Sequence, residues 1–288
     1  MSIQISEAFI QQYSHNVTLV AQQKGSRLRE AVREERHVGK AVFYDRIGRT
    51  AAIRRTSRHG DTPRIDVPHS RRRVTLVDYD WADLIDNVDR VRLSIDPASH
   101  YVTAAAWAMG RAMDDEIVAA ATGVAQAGEN GQTDVPFPAS QVVPASATGL
   151  TVAKLLAAKE LFDAADIDPD EPRFIACTAK QIANLLSEDE VASADYNSVK
   201  ALVQGEVDTF LGFRFIRTQR LPLSGGGARR CMAWTRDGLL LSVGAEPVAK
   251  MTERPDKNYA TQVYFSMSVG AARMEEERVV EIQCVEAA

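Results

Sequence analysis

The sequence predicts an α+β fold in which helical and β-rich segments are separated along the chain. The prediction depends on a long amphipathic helix, an Arg-rich segment between two β-prone runs, and a final third of alternating apolar and polar residues. The 288 residues are 45% hydrophobic and 25% charged, which suffices for one large core or two smaller ones. No run approaches the roughly 18 apolar residues of a membrane span and no signal-peptide pattern begins the chain, so we expect neither membrane association nor export.

Residues 1–40 predict a charged arm instead of an independent domain. Apolar residues keep helical spacing over residues 9–20, Gly25 interrupts the pattern, and Leu28 with Val32 resumes it among alternating Arg and Glu. The apolar stripe is narrow and the other faces are heavily charged. We therefore expect a broken helix that lies along other subunits or along the rest of the chain.

Residues 41–77 predict a long two-stranded excursion. Short β-prone runs stand at both ends, and the polar segment between them contains Gly60, Pro63 and Pro68, which favours a turn near residues 59–63. A two-stranded ribbon is only marginally stable alone in water. We expect this one to rest on something else.

The excursion is also strongly basic, with nine Arg between residues 46 and 73 against two Asp. The first 75 residues carry 15 basic and 7 acidic groups, a net of +8, and the other 213 carry 19 basic and 32 acidic groups, a net of −13. Either nucleic-acid phosphates or acidic surfaces of identical subunits fit such a segment. Because no Phe, Trp or Tyr lies between residues 45 and 78, a stacking platform for single strands is disfavoured.

An acidic run follows the excursion and consists of Asp78, Asp80, Asp83, Asp86 and Asp89. Several carboxylates from a short loop are what calcium requires, but Ala82 and Asp83 stand where a third ligand and the turn glycine belong. We expect no metal. The spacing near three residues instead favours an exposed or interface-facing helical surface that pairs with arginines.

The clearest helix is predicted over residues 96–125, with Asp96 as N-cap and Pro97 at the first helical position. Its apolar face comprises Tyr101, Ala105, Met109, Ala112, Met113, Ile117, Ala121 and Val124. Residues 126–149 are rich in Gly, Pro, Ser and Ala and predict a linker to a second domain.

The second half predicts a helix capped by Thr151, a strand over 173–177 and a helix over 179–186, with a short helix near 197–203. Later strands are predicted at 210–217, 231–235, 239–243, 259–269 and 280–284.

No catalytic, cofactor or metal site is predicted. Cys177, Cys231 and Cys284 lie in apolar settings without close spacing, so we interpret them as buried side chains. Gly-x-Ser-x-Gly and His-Glu-x-x-His patterns are absent from the sequence. The glycines at 225–227 precede Arg229 and Arg230, but they lack the Walker spacing, and a flexible loop explains them better than a phosphate site.

In this order, the segments resemble the major capsid protein of tailed bacteriophages, with its Hong Kong 97-type fold. The resemblance spans essentially the whole chain, and its specificity lies in the order of individually weak motifs. The most similar stretches are Gly60-Asp61-Thr62-Pro63 leading to Pro68-His69-Ser70-Arg71-Arg72, residues 78–89 leading into the long helix, Gly205-Glu206-Val207 to Gly212-Phe213, and Gly270-Ala271-Ala272-Arg273.

The resemblance implies a role for each segment. These are an N-terminal arm at 1–40, an extended β loop at 41–77, a peripheral domain at 78–149 with its spine helix at 96–125, an axial domain at 150–250, and C-terminal strands at 251–288 that return to the peripheral domain. A virion protein of this kind assembles in the host cytoplasm as hexamers and pentamers of an icosahedral head. The head encloses double-stranded DNA, contacted non-specifically, and includes a portal protein.

The resemblance further implies that the loop reaches over a neighbouring subunit, with Arg–carboxylate pairs setting the register. The residues assigned to this interface are Arg54, Arg55, Arg58, Arg64, Arg71, Arg72, Arg73, Asp78, Asp80, Asp83 and Asp86. The family's namesake cross-links its subunits through a loop lysine, whereas residues 41–75 contain none, so we expect no covalent chainmail. We also expect a separate scaffolding protein. The alternative is a nucleic-acid-binding protein that uses segment 46–73.

Overall fold

A computed structural model describes residues 22–58, 60–62, 64–85, 98–188 and 209–286. The helices are α1 Ala98–Thr122, α2 Val152–Ala164 and α3 Ala179–Leu186. The strands are β1 Arg33–Arg36, β2 Ala41–Ile47, β3 His69–Thr75, β4 Val77–Ile85, β5 Ala125–Ala127, β6 Thr133–Val135, β7 Val142–Val143, β8 Arg173–Cys177, β9 Thr209–Phe210, β10 Phe213–Arg217, β11 Ala228–Thr235, β12 Leu239–Arg254, β13 Ala260–Arg273 and β14 Val279–Val285.

The first sheet has the order β1-β12-β13-β4 and packs against α1. The alternation predicted for the β13 region is confirmed, because every second side chain from Val263 to Val269 is buried. β12 is much longer than its predicted run, since it continues to Arg254 as the antiparallel partner of β13. The apolar side of this sheet and the long helix thus form one layer of the core.

The second sheet has six strands in the order β7-β14-β11-β8-β10-β9. We expected both C-terminal strands to lie with the long helix, but β14 pairs antiparallel with β11 in this second sheet. The predicted boundary at residue 250 also falls within β12. Pairing partners decide where a strand lies, and its apolar pattern does not name them. The assignment of peripheral and axial domains stays a prediction.

The third sheet has the order β2-β3-β5-β6 and contains the predicted two-stranded excursion. β2 and β3 pair antiparallel, with Ala41 opposite Thr75 and Ile47 opposite His69. The predicted linker at 126–149 is partly strand, because β5 and β6 form a hairpin whose first strand pairs with β3. The excursion therefore rests on the chain that follows the long helix.

The helices largely follow their predicted positions. On α1 the buried apolar side chains are Ala105, Met109, Met113, Ile117, Val118 and Ala121. Val124 is 57% exposed, because it follows the end of the helix. The Thr151 hydroxyl accepts a hydrogen bond from the backbone of Lys154, as expected of an N-cap. None of the described helices has the length and apolarity of a membrane-spanning segment.

The described part of the N-terminal arm is not helical as predicted. Arg29–Ala31 form a single 3-10 turn, and β1 then runs parallel to β12. Leu28 and Val32 are buried because the segment packs on the rest of its own chain, where the Trp234 indole donates to the Ala31 carbonyl over 2.9 Å. Tertiary pairing overrides the helical pattern here.

Other predictions lie outside the described residues. These are the helix at 9–20, two residues of the turn at 59–63, the Asp96-Pro97 cap, the short helix at 197–203 and the Gly205-Glu206-Val207 stretch.

Candidate functional site

The base of the β2–β3 hairpin places Arg71 against its own hairpin. Its Nε donates to Asp45 Oδ1 over 2.6 Å, and its guanidinium lies 5.5 Å from the centre of the Phe43 ring. This hydrogen bond from Arg71 lowers the pKa of Asp45 below its ordinary value. Both groups are exposed. The pair lies on the surface, so Arg71 remains accessible to another subunit.

Arg72 is held inside the chain, with only 2% of its side chain exposed. Its Nε donates to the Met274 carbonyl over 3.3 Å, and its Nη2 forms an ion pair with Glu276. Burial lowers the pKa of Arg72. Successive side chains of a strand point to opposite faces, and Arg72 falls on the inward face. We therefore remove Arg72 from the predicted subunit contacts.

Arg73 lies on β3 and is half-buried where this strand meets the β5–β6 hairpin. It lies opposite Gln126, and a Cβ at Gly131 would overlap its side chain. Gly131 has a φ of +65° and belongs to the β5–β6 turn. Arg73 therefore packs a neighbouring turn onto the hairpin.

The distal loop, residues 50–68, differs from this base because its arginines are exposed. Arg54, Arg55, Arg58 and Arg64 all point to solvent. Arg55 donates to the Ser57 carbonyl over 2.8 Å, and Arg64 lies 3.9 Å from Asp66 with 93% of its side chain exposed. These four side chains have the exposure that a contact with a second molecule requires.

The acidic run begins on a strand instead of a helix. Residues 78–85 belong to β4, so the helical interpretation is wrong there, and Asp86 lies outside the described residues. Asp78 accepts from the Ser268 hydroxyl and Asp80 accepts from Tyr264 over 2.5 Å. The latter contact raises the pKa of Tyr264. Strand alternation places Asp78 and Asp80 on one face.

β4 is an edge strand in the described part of the chain, where it pairs with β13 alone. Asp83 is exposed like the other two carboxylates, and its Oδ1 accepts a hydrogen bond from the backbone N–H of Leu84 at 2.8 Å. Within the described residues, none of the four distal arginines forms an ion pair with these three aspartates. One chain therefore presents a basic loop and an acidic edge without joining them.

Arg273 is a structural residue to which the sequence analysis assigned no role, although it belongs to the quoted Gly270-Ala271-Ala272-Arg273 stretch. It is fully buried, and its guanidinium donates to the carbonyls of Ala121 at 3.0 Å, Gly123 at 2.8 Å and Val135 at 3.1 Å. A cation at a helix C-terminus meets both the unpaired carbonyls and the negative end of the dipole. Arg273 thus joins β13 to the end of α1.

Asp114 fixes the described part of the N-terminal arm and was also missed. It is fully buried and accepts from the Ser26 hydroxyl at 2.5 Å and from the Arg27 and Leu28 backbones at 3.1 Å. A Cβ at Gly110, one turn earlier, would overlap the arm's backbone. The sequence signal was a carboxylate on an otherwise apolar helix face, one turn after a glycine.

The described residues do not form a phosphate, cysteine or metal site at the other positions that the sequence analysis considered. Arg229 pairs with Glu286 at 2.7 Å and Arg230 with Glu281 at 2.5 Å, so internal carboxylates occupy both guanidinium groups beside the glycine-rich loop. The three cysteines are buried as predicted, and burial raises the pKa of Cys177 to about 12. Among the described residues, no group of three or more His, Cys, Asp or Glu is placed to hold a metal ion.

The fold of the chain is shared with known structures of phage capsids. The chain superposes on the capsid of cyanophage P-SCSP1u with a TM-score of 0.72 at 16% identity, covering 98% of this chain and 95% of that one. For the head of Helicobacter pylori bacteriophage KHP40 the TM-score is 0.73 at 10% identity, with 94% of each chain covered. For the cyanophage Pam1 capsid it is 0.70 at 14% identity, with 96% of each covered. The fold is that of a viral shell subunit.

The sequence itself matches the profile of the phage capsid protein family over residues 5–286, and the chain belongs to this family. No curated protein matches it significantly. The predicted α+β class and the resemblance to tailed-phage capsid proteins are confirmed. As a capsid protein, the chain is a structural component of the virion.

Proposed function

We propose that this chain is the repeating subunit of an icosahedral phage head, built from its hexamers and pentamers around double-stranded DNA. The observation that carries the proposal is a capsid-family match over nearly the whole sequence, combined with a basic loop and an acidic strand edge that one chain leaves apart. We assign the protein a structural role and no catalytic one.

The distal loop of one subunit would contact the acidic edge of another. Arg54, Arg55, Arg58 and Arg64 are exposed, and Asp78, Asp80 and Asp83 are exposed on β4. Complementary charges guide association and fix register more than they add affinity. Arg71 and the accessible part of Arg73 would extend the basic surface, and Asp86 remains part of the proposed acidic one.

Apolar side chains of the same loop would supply the affinity. Ile53, Ile65 and Val67 are 56%, 42% and 39% exposed in the single chain. Apolar groups at the centre of an interface contribute more binding energy than rim charges do. Contact with a second subunit would remove these side chains from water, and repetition around a closed shell would add many weak contacts together.

Several partners belong to the proposal. A separate scaffolding protein would guide closure in the host cytoplasm, a portal protein would be part of the head, and the packaged DNA would be contacted without sequence specificity. The net charge of −5 agrees with a protein whose main partner is itself, because a dedicated DNA binder gains affinity from a net positive surface.

Electron microscopy with light scattering would test the proposal on the purified chain, alone and co-expressed with a candidate scaffolding protein. Uniform closed shells are expected in at least the co-expressed sample. Small oligomers in both samples, with tight and salt-sensitive duplex binding, would instead favour a nucleic-acid-binding protein that uses segment 46–73.

A charge exchange would test the loop contact. Arg54→Asp with Arg55→Asp should reduce shell yield, and Asp78→Arg with Asp80→Arg should do the same. Combining all four changes should recover part of the yield, because opposite charges again face each other. A matched control is Arg236→Asp, an exposed arginine outside the loop. Equal yields in all variants would reject the contact.

Mature particles would test the absence of covalent links. Because residues 41–75 contain no lysine, denaturing electrophoresis should show only the 31.6 kDa monomer. Ladders at multiples of this mass would contradict the prediction.

A further inference from the structure

The turn between β13 and β14, residues 274–278, joins the first sheet to the second. The base of the β2–β3 hairpin is attached to this turn by three arginines, Arg46, Arg49 and Arg72. The hairpin therefore contacts the segment at which the two large sheets meet. The geometry of this turn therefore contributes to the direction of the hairpin, together with the pairing of β3 with β5.

Two of these arginines form a buried attachment. Arg46 and Arg72, on the paired strands β2 and β3, both donate to the Met274 carbonyl, and Arg72 also pairs with Glu276. Arg72 is 2% exposed. Removing one partner of a buried ion pair leaves the other charge uncompensated, so this attachment is costly to break. We call this attachment the pivot, and we expect its contacts to persist as long as the chain is folded.

The third arginine forms an exposed attachment at a different place. Arg49 Nη2 lies 3.1 Å from Glu277 Oε2 and also donates to the Ala165 carbonyl, which follows α2. The two charged side chains are 68% and 58% exposed. Between the hairpin base and residues 166–168 there is an open groove of about 560 Å³, lined also by the 274–278 turn. Arg49 lines this groove, and we call its contacts with Glu277 and the Ala165 carbonyl the strut.

The two attachments differ in strength for a physical reason. Water and salt screen an exposed ion pair, which contributes little to stability, whereas a buried pair is hardly screened. The contacts of the strut can therefore break while the contacts of the pivot persist. The open groove provides the space into which the hairpin base can then turn.

We propose that Arg49 and Glu277 are positioning residues that hold the hairpin at one angle to the six-stranded sheet, with Arg72 and the Met274 carbonyl as the pivot. The inference rests on the proposed function, because the angle decides where the distal loop meets a neighbouring subunit. Opening of the strut by salt or by another subunit would let one sequence present the loop at more than one angle.

Distances between two spin labels would test the strut. Labels attached at Ser57→Cys in the distal loop and Ala183→Cys on α3 occupy exposed positions, and the three native cysteines are buried and so protected from labelling. Pulsed electron paramagnetic resonance would be recorded on the full chain, diluted with unlabelled protein to suppress signals between subunits. The unsubstituted background should give one narrow distance distribution at low salt.

The variants are R49E, E277R and their combination. Each single change should broaden the distribution at least twofold, because like charges then face each other. The combined variant should be narrower than either single one, since it restores an opposite pair but not the bond to Ala165. Raising the salt to 1 M should broaden the distribution of the unsubstituted background and reduce its difference from R49E, because salt screens both the attraction and the repulsion. R64E is the matched control, since Arg64 pairs only weakly with Asp66 at 3.9 Å and lies away from the turn.

An unchanged width in R49E, or a combined variant as broad as both single ones, would overturn the strut. This outcome is separable from failure of the proposed function. If the unsubstituted chain never forms shells but the distances behave as expected, the strut stands and the capsid role of the hairpin falls. Shells with unchanged distances in R49E would leave the capsid role standing and reject the strut.

Discussion

The base and the distal loop of the hairpin have the same Arg-rich composition and opposite environments. Arg72 in the base is 2% exposed and pairs with Glu276, whereas Arg64 in the loop is 93% exposed and lies 3.9 Å from Asp66. Only eight positions separate them. Arg72 in the base holds the chain together, whereas the four loop arginines remain available to another molecule. Within one run of arginines, a buried side chain therefore stabilises the fold and an exposed one is available for binding, and burial is what distinguishes them.

The largest expected effect is on Arg72. Arg72→Ala removes a buried side chain and its charge-assisted hydrogen bond to the partly exposed Glu276, which keeps Arg273 at 3.8 Å, and should lower the free energy of unfolding by about 1.5–3 kcal/mol. Arg64→Ala, the matched change in the loop, should alter it by less than about 0.5 kcal/mol. Urea denaturation of the unassembled chains, followed by circular dichroism, would measure both. Equal stability of the two variants would remove the distinction between base and loop.

The next effect is on assembly. Replacing Arg54, Arg55, Arg58 and Arg64 with Ser should leave the unfolding free energy within about 1 kcal/mol. It should reduce shell yield at least about tenfold, because a small loss at each contact is repeated around the shell. Sedimentation would measure the yield. Replacing Arg71, Arg72 and Arg73 together would not separate the two effects, because Arg72 is needed for folding. Normal yield from the four-Ser variant would show that the loop charges are dispensable.

A smaller effect is expected at Gly131, which packs the β5–β6 turn onto the base. Gly131→Ala introduces a Cβ against Arg73 at a φ of +65°, and the crowding should cost about 1–3 kcal/mol. Gly60→Ala in the distal loop meets only the flexible side chain of Ser57. It should leave the melting temperature nearly unchanged. Differential scanning calorimetry would compare the two, and a larger loss for Gly60→Ala would contradict the expected order.

The smallest effect belongs to the exposed pair of the base, Asp45 and Arg71. Arg71 lowers the pKa of Asp45 in the folded chain, so the contribution of this carboxylate to stability is present at neutral pH and is lost as the pH falls below its ordinary value of 3.8. Asp45→Asn should therefore be slightly less stable than the parent at pH 7 and equal to it at low pH. The difference should shrink in high salt, because the pair is exposed. Thermal melts at several pH values would check this, and a gap that persists at low pH would assign it to packing.

The regular elements were largely predictable from local pattern. The long helix and α3 lie where apolar spacing placed them, because a helix satisfies its own backbone, and β8 lies where its short apolar run placed it. The helix predicted over Leu28 and Val32 instead ends as a strand, since pairing with β12 supplies hydrogen bonds that no local pattern reveals. The helical prediction for the acidic run is wrong for a similar reason, because carboxylates spaced two and three residues apart fit a strand edge as well as a helix face.

The sequence by itself determined the α+β class, the order of the segments, the capsid resemblance and the position of the basic excursion. These depend on composition and on short-range periodicity, which every stretch of chain carries within itself. Only the tertiary structure decided that β14 joins the six-stranded sheet, that Asp114 and Arg273 fix the arm and the end of α1, and that Arg72 turns inward while Arg64 does not. Burial and pairing depend on residues distant in sequence, so the same arginine can stabilise a fold or face a partner.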